Sequence, residues 1–198
     1  MNLLATNVTG LIIGLSVGAV VLLLLVILVC WGIGARNGFV TVRNKCEEAF
    51  ATIDVYLKKR YDLIPNLVET VKGYAKHESE TLERVISARN NAVSANTTAE
   101  KIEADARLTK EIKNFQMVAE RYPDLKANAN FLDLSNQLKS IESQLADQRR
   151  FYNGLVKQFN TQRELFPKSI IAGMMRLEKM TYFQLDSDVE RQNVQVKF

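Results

Sequence analysis

The first feature of this sequence is a lack of charge, because no Lys, Arg, Asp or Glu precedes Arg36. Residues 11–31 within this uncharged part read LIIGLSVGAVVLLLLVILVCW. About 20 apolar residues, each rising ~1.5 Å along a helix, cross the ~30 Å hydrocarbon layer of a bilayer. The sequence therefore predicts a transmembrane helix over residues 11–34, preceded by a short N-terminal segment of residues 1–10.

The absence of basic residues from positions 1–10 argues against a cleaved signal peptide. Such a peptide starts with basic residues and has an apolar core of only about 7 to 15 residues. The first basic residues, Arg36, Arg43 and Lys45, come directly after the span. Under the positive-inside rule, this asymmetry predicts an uncleaved single-pass anchor with the C-terminal domain in the cytoplasm.

Histidine and cysteine are almost missing, since His77 is the only histidine and Cys30 and Cys46 are the only cysteines. This inventory excludes an HExxH zinc site, any site with several histidines and a disulfide framework. The sequence also has no glycine-rich phosphate loop and no GxSxG motif. We expect no catalytic residue, no metal and no cofactor, and we interpret the protein as a non-enzyme.

A large excess of one charge sign is also missing. The 26 basic and 22 acidic residues leave a net charge of +4, all of it carried by the part that begins at Arg36. That balance describes a mixed, solvated surface and is too mild to indicate nucleic acid as a partner.

What the chain does have is helical periodicity. From Val42 onward, apolar residues recur every three or four positions, the spacing of one helix face. Pro65 falls within this pattern and indicates either a kink near residues 61–65 or the start of a new helix, and the unbroken spacing favours the kink. The pattern continues beyond Gly73 to Val93 and fades in residues 94–98, which suit a turn.

Three further segments follow. One helix is predicted from about Ala99 to Pro123, a connector over residues 123–130, and a long helix with apolar positions from Leu134 to Phe166. Pro167 can open a last helix that runs to about Tyr182. With no strand pattern, the predicted fold is all-α: an antiparallel helix bundle with long helices over residues 35–185, and a C-terminal tail of residues 186–198 that can form a short extended arm.

Two sets of residues are candidates for contacts with other helices. Glycines every fourth residue in the span form a stripe where a second helix can approach closely, although glycine is also common in membrane helices for no such reason. Polar residues inside the apolar patterns can set register or partner choice. The first set is Gly10, Gly14 and Gly18; the second is Arg60, Gln148 and Gln162, together with the neighbouring Asp54, Asp62, Asn66 and Glu69 as ties between helices or a contact surface.

Residues 53–83, IDVYLKKRYDLIPNLVETVKGYAKHESETLE, resemble the hallmark stretch of the LemA family. Later segments, ERYPDLKANANF, YNGLVKQFN and the FP pair at Phe166 and Pro167, resemble further signatures of that family in the same order. Phe50 stands where the family often has Trp, and the tail lacks a common proline. The resemblance implies a single-pass protein of the bacterial cell (inner) membrane with a helical bundle, no established enzymatic activity and, in some bacteria, a genomic association with a membrane metalloprotease.

Two functional hypotheses follow. The first is a membrane-anchored helical scaffold that contacts the lipid bilayer and self-assembles into a homo-oligomer through the glycine stripe and the long helices. The alternative is an adaptor that presents its bundle to a membrane metalloprotease or another envelope enzyme. A nucleic-acid-binding role would rest on the isoelectric point alone, and we expect no nucleic acid.

Overall fold

A computed structural model describes residues 2–75 and 77–183, with side chains from Gly14 onward. Regular structure in these ranges is entirely helical, with no strand, which confirms the predicted all-α fold. The helices are α1 (Asn2–Lys72), α2 (Ser79–Ser94), α3 (Thr98–Ala119), α4 (Pro123–Lys126), α5 (Ala129–Glu164) and α6 (Lys168–Met174). The tail predicted as an extended arm, residues 186–198, lies outside the described residues.

The chain forms two compact units. The first unit combines the residues up to Asn44 with Gln158–Lys179, and the second combines Lys45–Lys157 with the segment that begins at Met180. The first unit therefore holds the apolar start of α1, the end of α5 and all of α6. The second unit holds the rest of α1, all of α2, α3 and α4, and most of α5.

The second unit is an up-down-up-down bundle of α1, α2, α3 and α5. Residue numbers rise together where α1 meets α3, as in the pairs Asp54–Lys101 and Arg60–Thr109, so these two helices are parallel. They run in opposite senses where α1 meets α5, because Phe50 meets Tyr152 whereas Arg60 meets Glu142. Helices α2 and α3 are joined by three residues and pack against each other. The predicted antiparallel helix bundle is therefore present.

Pro65 lies inside α1 and does not start a new helix. Of the two alternatives, a new start at Pro65 is therefore excluded. The buried positions on both sides of the proline keep one continuous face, with Ile64, Leu67 and Val71 each 2 % exposed or less. Burial of this face holds the helix together where the proline removes one main-chain hydrogen bond.

The prediction that the helix continues through Gly73 to Val93 is wrong. Helix α1 ends at Lys72, the N–H groups of Tyr74 and Ala75 both donate to the carbonyl of Val71, and α2 begins at Ser79. Glycine is a poor helix residue, and reversal of the chain here places Leu82 and Val85 in the core, where they are 5 % and 1 % exposed. The turn creates a separate bundle helix, α2, out of what we expected to be the end of α1.

The prediction of a last helix reaching about Tyr182 is also wrong, because α6 ends at Met174. Arg176 has a φ of 50°, in the left-handed region. The N–H of Arg176 donates to Gly173 and that of Leu177 to Ala172, which is the hydrogen-bond pattern of a Schellman motif. This motif satisfies the last carbonyls of α6 and turns the chain away from the helix axis.

The connector predicted over residues 123–130 contains one helical turn, α4, with Pro123 in the first helical position. Helix α3 starts with a capping box, in which the Thr97 hydroxyl accepts from the Glu100 N–H and the Glu100 carboxylate accepts from the Thr97 N–H. Two bonds to the Glu100 carboxylate, from the main-chain N–H groups of Thr97 and Asn96, lower the pKa of Glu100. They fix the short turn between α2 and α3.

Candidate functional site

The centre of the second unit contains a buried arginine, Arg60, which is completely shielded from solvent on α1. Its guanidinium donates to the Thr109 hydroxyl on α3 at 3.1 Å and to the Glu142 carboxylate on α5 at 2.8 Å, and it forms an ion pair with Asp105 on α3. One side chain of α1 is therefore bonded to two other helices. Arginine suits this role because its planar fork presents several donors in fixed directions.

A second arginine completes the group. Arg149 of α5, which is 6 % exposed, forms an ion pair with the other carboxylate oxygen of Asp105. Two arginines thus face two carboxylates, and the formal charge of the group is balanced. We call Arg60, Asp105, Glu142 and Arg149 the buried charge cluster. Burial lowers the pKa of Arg60, but the negative charges of Asp105 and Glu142 raise it by more than burial lowers it. The pKa therefore lies above its ordinary value and the arginine stays charged.

Tyr61 borders this cluster. Its hydroxyl is buried, and no group among the described residues lies within hydrogen-bonding distance of it. Burial, followed by the charge of Asp105, raises the pKa of Tyr61 to about 12. The phenol is therefore held in its neutral form next to a carboxylate.

An aromatic group lies on the other side of Arg149. The ring of Phe183 stacks on Phe50 with centroids 6.0 Å apart and meets Tyr152 edge-on at 5.5 Å, and the Arg149 guanidinium lies 5.6 Å from the Phe183 centroid. Asn153 accepts from the Phe183 N–H at 2.9 Å and donates to the Phe183 carbonyl at 3.0 Å. The segment after α6 is therefore held on α5 by both main-chain and ring contacts.

The predicted contact residues fall into three groups. Arg60 lies in the buried charge cluster, and Asp54 binds Lys101 of α3 with both carboxylate oxygens at 2.8 Å, so these two residues do tie helices together. Asp62, Asn66 and Glu69 are exposed, and Glu69 pairs with Lys72 on its own helix. The half-buried Gln148 and Gln162 lie in different units, Gln148 in the second and Gln162 in the first.

The other members of the cluster were not predicted. Asp105, Thr109 and Glu142 each directly follow an apolar residue, and Arg149 directly follows Gln148, a predicted contact position. The buried face of α5 includes Leu138, Leu145, Tyr152 and Phe159, as the apolar spacing predicts. Between them, the spacing predicts that Gln148 and Leu155 are also buried, but the buried residues are the next ones along the chain, Arg149 and Val156. Moving these intermediate positions by one residue would have identified Arg149.

The glycine stripe lies on an open helix surface. A methyl group added at Gly14 or Gly18 would meet nothing within 4 Å, and these two residues line a shallow groove together with Leu15, Ala19 and Leu22. For Gly10 only the helical backbone is described. Among the described residues no cluster of three or more His, Cys, Asp or Glu side chains could hold a metal ion.

The segment that contains these glycines is apolar and exposed on every side. Large apolar residues from Leu15 to Val29 are each 50 % exposed or more, and the most apolar stretch has a mean hydropathy of 2.8. Of the described helices, α1 alone is long and apolar enough to cross a membrane. The fold thus defines a class: a helical-bundle protein with a candidate membrane-spanning helix at its N-terminus.

Comparison with known proteins identifies the family. Residues 49–198 match the LemA family, and the chain belongs to that family, in agreement with the resemblance of its motifs. The chain is also similar to Protein LemA of Metamycoplasma hominis, with 26 % identity over 165 residues, which covers 82 % of this chain and 74 % of the relative.

Proposed function

We propose that this protein is a non-enzymatic scaffold, anchored in the bacterial inner membrane by α1, that self-assembles into a homo-oligomer. The observation that carries the proposal is the exposure, on every side of the helix, of an apolar stretch from Leu15 to Val29 in α1, which continues as a helix to Lys72. Exposed apolar surface of this extent requires lipid or another helix around it. The basic residues Arg36 and Arg43 after the stretch favour a cytoplasmic bundle.

Self-association is assigned to the face that carries Gly10, Gly14 and Gly18. Helix pairs in membranes pack closely where small residues recur every fourth position, because the backbones can then approach each other. The open surface at Gly14 and Gly18 supports this assignment. The buried charge cluster serves a different purpose, since it fixes the register of the bundle helices within one chain.

Cysteine crosslinking in native membranes tests the scaffold. Cys30 is exposed near the end of the predicted span, where a membrane-permeant oxidant can reach it, whereas Cys46 is 2 % exposed and burial raises the pKa of its thiol, so it is a poor crosslinking partner. Cys30 lies sixteen residues after Gly14 and therefore on the opposite side of α1, so a disulfide between two copies of Cys30 reports a contact other than the glycine face. If the scaffold extends beyond glycine-face pairs, we expect that dimer from the unaltered chain and from Cys46→Ser, and none from Cys30→Ser. Monomer alone, both here and from the glycine-face variants below, would contradict self-assembly.

The face is mapped in a Cys30→Ser, Cys46→Ser background. Gly14→Cys should crosslink, and Ser16→Cys should not, because residues two apart on a helix point in nearly opposite directions. Equal crosslinking at both positions would show that the contact does not use the glycine face.

The second candidate function is an adaptor for a membrane metalloprotease or another envelope enzyme. A groove of about 640 Å³ between the end of α1 and α2 favours it, because the groove has Val68, Leu82 and Ile86 along its floor and Lys72 and Glu83 at its rim. Glu83→Lys changes the exposed rim without touching the buried core, and it should remove binding to one defined membrane protein in pull-downs while leaving Cys30 crosslinking intact. Unchanged recovery of every membrane partner would instead favour the scaffold.

A further inference from the structure

Helix α6 and the residues before it form an apolar surface within the first unit. Phe166, Ile170 and Met174 are 82 %, 55 % and 77 % exposed. Ile170 and Met174 are four residues apart on α6, which places them on one side of the helix, and Phe166 lies in the turn that precedes it. The opposite side contains Ala172, which is 3 % exposed, and Ile171. We call Phe166, Ile170 and Met174 the α6 stripe.

The position of α6 along α1 decides what covers this stripe. The Cδ1 atom of Ile171 lies 3.8 Å from the place that a Cβ on Gly32 would occupy, and the ring of Phe159 meets that of Phe39 with centroids 6.0 Å apart. Gly32 directly follows the apolar run that ends at Trp31. Helix α6 therefore packs on α1 at the level where hydrocarbon gives way to lipid headgroups.

The charges around the stripe suit an anionic membrane surface. The segments of the first unit, residues 1–44 and 158–179, contain six basic and two acidic residues. The +4 net charge of the whole chain thus lies in this unit. Lys168, Arg176 and Lys179 flank the stripe, and basic residues beside an apolar helix face are the pattern of helices that lie in the headgroup region.

We propose that the α6 stripe inserts into the cytoplasmic leaflet of an anionic phospholipid bilayer and gives the protein a second membrane contact beside α1. The proposal rests on the membrane anchoring proposed above. Side chains of such helices reach about 5–10 Å into the boundary between headgroups and acyl chains. Two contacts, at the span and at α6, restrict the tilt and rotation of the first unit in the membrane.

Tryptophan quenching by brominated lipid in vesicles of phosphatidylglycerol and phosphatidylcholine tests the insertion on the full chain. Trp31 is the only tryptophan, so its own quenching reports whether α1 is embedded. In a Trp31→Phe background, Phe166→Trp places the probe in the stripe. Phe151→Trp is the control, because Phe151 is 60 % exposed and belongs to the second unit. We expect quenching at position 166 to exceed that at position 151 by about threefold or more.

Each other outcome overturns the proposal in a distinct way. Quenching of Trp31 without quenching at position 166 rejects the second contact and leaves the anchor intact, whereas no quenching at either position rejects both. A probe at position 166 that is shielded from water but unquenched, with a signal that depends on the protein-to-lipid ratio, identifies a second copy of the chain as the occupant. Equal quenching at positions 166 and 151 indicates nonspecific adsorption.

A charged substitution provides a second measurement in the Phe166→Trp protein. Met174→Glu should abolish the quenching, because it places a carboxylate on the stripe, whereas Met117→Glu should not. Met117 is 62 % exposed on α3 and therefore is a matched control for any general effect of added charge. Unchanged quenching in Met174→Glu would overturn the proposal even if position 166 itself contacts lipid.

Discussion

Arg89 donates a hydrogen bond from its Nε atom to the main-chain carbonyl of Tyr61, with an N···O distance of 3.2 Å. In a regular helix that carbonyl would accept from the residue four positions later, which is Pro65 and has no N–H. A side chain of α2 therefore replaces the bond that α1 loses at its proline. This contact ties α2 to the turn of α1 that contains the proline.

The bond predicts an energetic coupling between Arg89 and Pro65. Arg89→Ala should lower the free energy of unfolding by about 1–2 kcal/mol, because it leaves a half-buried carbonyl without its donor. In a Pro65→Ala background the Ala N–H can take that donor's place, and the same substitution should cost less, with a coupling of about 0.5–1 kcal/mol. Urea unfolding of the detergent-solubilised protein, followed by far-UV circular dichroism, measures both values.

Arg84→Ala is the matched control for that cycle. Arg84 is a half-exposed arginine on the same helix, paired with Glu80 at 3.6 Å, and its loss should cost little in either background. An identical cost of Arg89→Ala with and without Pro65 would contradict the replacement of the hydrogen bond.

The buried charge cluster predicts a large difference between two ion pairs that join the same helices. Arg60→Met leaves the buried Asp105 paired with Arg149 alone and the half-buried Glu142 without the Arg60 guanidinium, and it should destabilise the protein by about 3–5 kcal/mol. Lys101→Met breaks the partly exposed pair with Asp54 and should cost about 1 kcal/mol or less. Arg60→Lys should rescue little, because a lysine cannot reach both carboxylates with a planar fork. Comparable unfolding midpoints for the Arg60 and Lys101 variants would argue against this ranking.

The helical periodicity was sufficient to predict the all-α bundle, because burial of one face dominates the choice of structure. It placed Arg60 on the buried face correctly. It could not identify Asp105 or Glu142 as its partners, because spacing along one helix contains no information about which position of another helix lies opposite. The register between helices depends on packing across the whole bundle.

The break after Lys72 shows the second limit. Gly73 was visible in the sequence, but a glycine inside a helix costs only about 1 kcal/mol, which neighbouring contacts can outweigh in either direction. The apolar spacing continues across the break, because α2 also has a buried face. A pattern that is in phase on both sides of a turn cannot reveal the turn.

The two buried tyrosines should respond in opposite ways to removal of their hydroxyls. Tyr61→Phe should raise the free energy of unfolding by about 1 kcal/mol, since the hydroxyl is buried with no hydrogen-bond partner among the described residues. Tyr152→Phe should lower it by about 0.5–1 kcal/mol, because the Tyr152 hydroxyl donates to the Thr181 carbonyl at 3.3 Å. Chemical unfolding of both variants checks the signs, and destabilisation by Tyr61→Phe would show that its hydroxyl has a stabilising contact.

The same tyrosines predict a loss of stability at alkaline pH. Burial is the main cause that raises the pKa of both Tyr61 and Tyr152 to about 12, against about 10 in an unfolded chain. Between these values the unfolded state releases protons that the folded state retains, so stability falls as the pH rises from about 10 to about 12. Ultraviolet titration should show two phenols ionising late. The Tyr61→Phe, Tyr152→Phe double variant should lose stability less steeply, and an unchanged slope would assign the effect to other groups.

The end of α6 predicts opposite effects for two substitutions at one position. Arg176 adopts a φ of 50°, which glycine tolerates without strain and a β-branched residue does not. Amide hydrogen exchange of the peptide that spans α6 should therefore slow in Arg176→Gly and accelerate in Arg176→Val, with changes of up to about 1 kcal/mol in the local opening free energy. Both variants remove the same charge, so an equal change in both would assign the effect to the lost guanidinium rather than to backbone conformation.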